Sequence, residues 1–129
     1  MSYMFRNADS FNYDLDAWDT SRVTSMYAMF NGADIFNGKI GSWDVSSVTT
    51  LYQMFQSAGV FNQPIGRWDV SRVTQMSYLF YQAPAFNQPI GNWDVSNVNG
   101  LSDTFSHAYA FVQDLSCLLY TSPSPRDPL

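Results

Sequence analysis

Trp68-Asp69-Val70-Ser71-Arg72-Val73-Thr74-Gln75-Met76-Ser77-Tyr78-Leu79-Phe80 recurs in closely similar form twenty-five positions earlier and twenty-five positions later. Trp18, Trp43, Trp68 and Trp93 form one column at this spacing, and Phe5, Phe30, Phe55, Phe80 and Phe105 form a second. Self-similarity at a fixed period in the twenties is the signature of a solenoid, in which no unit buries its apolar side alone and each stacks on a neighbour. The period therefore predicts a repeat solenoid over 1–117, with a partial unit 1–17 and full units 18–42, 43–67, 68–92 and 93–117.

Within a unit the apolar spacing changes from two to a longer period. Trp43 and Val45 alternate with Asp44, which predicts a short strand around each Trp, parallel to its copies. Val48, Leu51, Met54, Phe55 and Ala58 then fall on one face at about 100° per residue, which predicts helices over about 22–33, 47–58, 72–83 and 97–108. Ser21, Ser46, Ser71 and Ser96 stand where N-caps are expected. Pro84 limits the third helix to about Ala83. The expected fold class is thus α/β: a leucine-rich-repeat-like solenoid of 25-residue strand-turn-helix units, with a parallel sheet on one side.

Composition narrows the function classes. With 46% hydrophobic and 17% aromatic residues in 129, the chain has the apolar material of a folded core. A net charge of −5 disfavours nucleic acid and anionic membrane surfaces as partners. One cysteine, Cys117, allows neither an intramolecular disulfide nor a cysteine zinc cluster. No apolar run has the roughly twenty residues of a membrane-spanning helix.

The repeat Ile-Gly-x-Trp-Asp-Val-Ser-x-Val-Thr-x-Met-x-x-Met-Phe-x-x-Ala-x-x-Phe-Asn-Gln resembles that of the BspA-type leucine-rich-repeat surface proteins, of the kind common in mycoplasma lipoproteins. The resemblance covers residues 1–117. It implies a solenoid at a cell surface or outside the cell, often engaged in adhesion, and it supplies no catalytic residues. After Leu115 the pattern stops. Residues 118–129, with three prolines near the end, are expected to be a disordered tail and resemble a translated adapter read-through.

The most regular polar columns are Asp19, Asp44, Asp69 and Asp94, and Asn12, Asn37, Asn62 and Asn87. Stacked carboxylates suit calcium, which takes six to eight oxygen ligands, but an aspartate needed by every unit also suits a bond to local turn amides. The structural reading is preferred for both columns, and no metal or cofactor is expected. Asp14 and Asp16 cluster with Asp19 without the glycine and glutamate of a calcium loop. His107 is the one histidine and has no second histidine to share a metal or a proton.

Catalysis needs a unique constellation, whereas the polar residues that stand out here recur, so no enzyme is expected. Positions that vary between units are the candidates for partner binding: Arg22, Arg67, Arg72, Asn92, Tyr52 and Tyr78, with Tyr3 and Tyr27 among the further aromatics. The expected function is non-enzymatic recognition or adhesion, toward a protein or glycan ligand. The alternatives are a carbohydrate-active solenoid enzyme built on Asp14, Asp16 and Arg22, and an ice-binding solenoid built on the column Thr24, Thr49 and Thr74. The sequence begins inside a unit and is read as a fragment of a longer chain. Apolar surface is expected at Met1, Met4 and Phe5 and at Leu101, Phe105 and Phe111, with self-association through these ends.

Overall fold

The computed structural model describes residues 1–116 and 118. Expectations for Cys117 and for the tail beyond Leu118 lie outside them. The 25-residue unit persists, but neither element expected within it forms. The windows 22–33, 47–58, 72–83 and 97–108 contain no helix, and no strand surrounds any of the four tryptophans. A succession of tight turns takes their place. The parallel pairing among the described residues is limited to single-residue bridges, Ser25 to Thr50, Thr50 to Gln75 and Gln75 to Gly100. These facts overturn the α/β, leucine-rich-repeat-like assignment, its strand-turn-helix unit and its sheet.

The backbone amides show why a helix loses. Met29, Asn31 and Ala33 donate to the carbonyls of Met26, Ala28 and Phe30, three residues back, at 3.0–3.2 Å. The even-numbered amides, on Met26, Ala28, Phe30 and Gly32, donate instead to Thr50, Tyr52, Met54 and Gln56 in the next unit at 2.8–3.1 Å. One amide in two closes a turn, and the other ties two units together. The following unit repeats the scheme, with Leu51, Gln53, Phe55 and Ser57 donating to Gln75, Ser77, Leu79 and Tyr81. A helix would direct every amide to its own segment, leaving adjacent units joined by side chains alone. Here the alternation satisfies the buried backbone and stacks the units at once.

Two columns of left-handed residues make this path possible. Ala28 and Gly32 have φ of 52° and 72°, and they occupy the third place of the turns Met26–Met29 and Phe30–Ala33, where a type II turn requires positive φ. Gln53 and Ser57, Tyr78 and Gln82, and Asp103 and His107 repeat them in later units at 53–61°. Ser21, Ser46, Ser71 and Ser96 therefore cap no helix.

The apolar columns form a continuous core. Phe30 and Phe36 stack at 4.0 Å within one unit, and Phe55 with Phe61 and Phe80 with Phe86 do the same. Phe30, Phe55 and Phe80 then succeed one another at 5.7 and 5.8 Å with rings 3° from parallel. Trp43, Trp68 and Trp93 are buried, while Trp18 in the same column is 42% exposed. The expected exposure at the two ends holds for Met4, at 51%, but not for Leu101, at 5%. Met1, Phe5, Phe105 and Phe111 are partly buried against the core.

Candidate functional site

The recurring polar residues are bound up in the stack. Asp44 Oδ1 accepts from the Ser46 hydroxyl at 2.6 Å and from the Ser46 amide at 3.0 Å. Asp19 with Ser21 and Asp94 with Ser96 repeat both bonds, and Asp69 accepts from the Ser71 amide at 3.0 Å. These bonds, the hydroxyl's first and the amide's second, hold all four carboxyls below the usual carboxylate range. Asp114, one step further, is held low by the Ser116 amide and then its hydroxyl.

The asparagine column joins units directly. Asn12 Oδ1 accepts from the Asn37 amide, Asn37 from Asn62, Asn62 from Asn87 and Asn87 from Val112, at 2.8–3.1 Å. Gln63, Gln88 and Gln113 reinforce the column, each donating Nε2 to the backbone oxygen and Oδ1 of the asparagine one unit back. Asp14 acts likewise, accepting the Lys39 amide at 2.9 Å. Thr49 and Thr74 donate their hydroxyls to the carbonyls of Thr24 and Thr49 at 3.2 and 3.3 Å. Among the described residues, no group of three or more His, Cys, Asp and Glu is placed to hold a metal ion.

Four of the six partner-binding candidates fall in two places. Arg67 and Asn92, with Ser42, lie along an open groove of about 800 Å³ that crosses the units from Gly41 to Asp114. Its floor is backbone, for a reason that the glycines make plain. A Cβ on Gly41 would stand 2.5 Å from the Pro64 oxygen, and one on Gly66 would stand 2.5 Å from the Pro89 oxygen. Close approach of adjacent units excludes side chains there, and exposed Pro64 and Pro89 form part of the wall. Arg67 is exposed in mid-groove and Asp114 lies at its end. Arg22 and Arg72 are also exposed but do not line this groove.

Tyr52 and Tyr78 belong to the second place, a ladder of surface rings. Tyr3 meets Tyr27 at 5.1 Å, Tyr27 meets Tyr52 at 4.9 Å, and Tyr52 meets Tyr78 edge-on at 5.9 Å. Tyr81, His107 and Tyr109 continue the ladder, with His107 Nδ1 2.8 Å from the Tyr109 hydroxyl. His107 and Tyr109 also line a small hollow of about 230 Å³ with Gln82 and Pro84. Sequence reading missed the continuity because Tyr3 and Tyr78 share one column of the repeat and Tyr27 and Tyr52 the adjacent one. It also missed Gln113 and Asp114 in the groove, although the recurrence of Gln63 and Gln88 marks the first of them.

No helix among the described residues is long and apolar enough to cross a membrane. No curated protein and no solved structure matches the chain. The family described as "Mycoplasma protein of unknown function, DUF285" matches residues 1–118, a span that contains the turn-built units, the groove and the tyrosine ladder, and the chain belongs to that family.

Proposed function

We propose that the chain is a non-enzymatic recognition protein that holds an extended protein or glycan ligand in the groove between Gly41 and Asp114. The supporting observation is that the groove crosses successive units over a fixed backbone floor, while its rim changes from Ser42 to Arg67 to Asn92. An invariant floor with a variable rim suits a ligand read at several points along its length. Among the described residues that line the groove, Arg67 is the one cationic anchor, and the exposed rings of Pro64 and Pro89 offer apolar contact. The resemblance of the repeat to BspA-type surface proteins supports a place at the cell surface or outside the cell.

Oligosaccharide and peptide arrays probed with the wild-type chain and with an Arg67→Glu, Asn92→Trp variant test this reading. Ligands held by the groove are lost from the variant and kept by Arg22→Ala. Binding that survives the double substitution would place recognition elsewhere.

A further inference from the structure

We propose that Tyr27 and Tyr52 form an oxidative cross-linking site, at which a one-electron oxidant couples the two phenols and staples adjacent units covalently. Their ring centroids lie 4.9 Å apart with planes 24° from parallel, and both side chains are half-buried at the surface. The flanking pairs are less suited. Tyr3 and Tyr27 are inclined by 51°, and Tyr52 and Tyr78 by 72°.

Loss of one electron and one proton from each phenol leaves neutral phenoxyl radicals, with unpaired spin partly on the ring carbons ortho to oxygen. A bond between two such carbons forms across the ring faces, so facing rings place the reacting orbitals toward each other. The two ortho hydrogens then return to the oxygens as the rings regain aromaticity, giving a biphenol. A peroxidase using hydrogen peroxide balances the step: the peroxide takes up two electrons and two protons and leaves as two waters. With Cys117 as its one cysteine, the chain has no internal disulfide to join its units, and a tyrosine staple would serve that purpose.

Dilute folded protein treated with a peroxidase and hydrogen peroxide is expected to give a monomer lighter by two hydrogens, with biphenol fluorescence and a proteolytic peptide joining the Tyr27 and Tyr52 segments. Tyr27→Phe and Tyr52→Phe, which keep a ring in the stack, each remove that peptide and the monomer's biphenol fluorescence. Tyr13→Phe leaves both in place. The proposal is overturned if the biphenol appears only in intermolecular dimers, or if Tyr27→Phe yields as much of it within the monomer as the wild type.

Discussion

The indole Nε1 of Trp68 donates to the carbonyl oxygen of Ile40, 28 residues earlier, at 3.1 Å. Trp93 bonds to Ile65 and Trp43 to Leu15 in the same way, at 3.1 and 2.8 Å. Each buried indole is therefore both core filler and a polar tie between units, the combination expected of a buried tryptophan. The column explains its own composition, because no other apolar side chain of that size carries an N–H.

Substitution separates the two roles. Trp68→Ala is expected to cost about 3–5 kcal/mol, as removal of a core aromatic does. Trp68→Phe keeps a ring and removes one of two donors to the Ile40 oxygen, which still accepts the Trp43 amide at 3.2 Å, and it is expected to cost about 0.5–1.5 kcal/mol for the lost bond. Trp18→Ala removes a ring already 42% exposed and should cost the least. Urea midpoints of the three variants check the order, and a loss in Trp68→Phe equal to that in Trp68→Ala would show that the retained ring contributes nothing and that the indole's own bond and shape set the effect.

The asparagine ladder makes a second expectation. Asn62 Oδ1 accepts the Asn87 amide at 2.9 Å and Gln88 Nε2 at 3.1 Å. Asn62→Ala leaves that half-buried amide unpaired and is expected to cost about 1–3 kcal/mol. Asn62→Asp restores an acceptor of the same shape and should recover most of the loss at neutral pH. Amide hydrogen exchange at Asn87 is the direct measurement: it should quicken in Asn62→Ala and stay slow in Asn62→Asp.

The columns and the core were legible in the sequence, and the backbone path was not. Val48, Leu51, Met54, Phe55 and Ala58 are all buried, as one helical face would have them. Successive three-residue turns return to the inside at nearly the same spacing, so burial alone does not separate the two geometries. The distinguishing positions are those with positive φ, and they hold Ala28, Gln53, Tyr78 and Asp103 in one column and Gly32, Ser57, Gln82 and His107 in the other. Gly32 by itself marks a left-handed place, but its neighbours in the column mask it. Trp43 and Val45 do alternate inward around exposed Asp44. The bonds that cross units there come largely from side chains, including Thr20 Oγ1 to the Asp44 oxygen at 2.9 Å, so no strand ladder forms. The partner-binding candidates Arg67 and Asn92 were readable as variable positions, whereas the groove beneath them depends on how closely Gly41 and Gly66 approach the next unit.

Those left-handed columns carry a cost that substitution can relieve. A side chain at positive φ is less stable than one in the right-handed region by roughly 1–2 kcal/mol, and glycine escapes most of this at the expense of a more flexible unfolded chain. Gln53, with φ of 58°, is half-buried. Gln53→Gly is expected to gain about 0.5–1 kcal/mol. Gln53→Val, with a branched carbon where the backbone tolerates none, should lose about 1–2 kcal/mol. Thermal melting of the pair decides the matter, since a destabilised glycine variant together with an unaffected valine variant would exclude a left-handed residue at this place.

The aspartate column sets the response to acid. Asp19, Asp44, Asp69 and Asp94 are held below the ordinary value of 3.8 by bonds from the serine two residues on, the hydroxyl's first and the amide's second. A carboxyl whose folded pKa is depressed contributes stability that is present above its unfolded pKa and is lost as pH falls through the folded one. The stack should therefore keep a flat stability above the ordinary carboxylate range and weaken progressively below 3.8 as the turns lose their charged acceptors. Asp44→Asn and Asp69→Asn keep an oxygen for the serine amide but cannot titrate. Each is expected to be slightly less stable at neutral pH and less sensitive to acid, and the double variant should show the shallower slope of the two effects combined. Urea midpoints measured from neutral pH downward give the slopes, and a double variant that follows the wild-type curve would assign the acid transition to carboxylates outside the column.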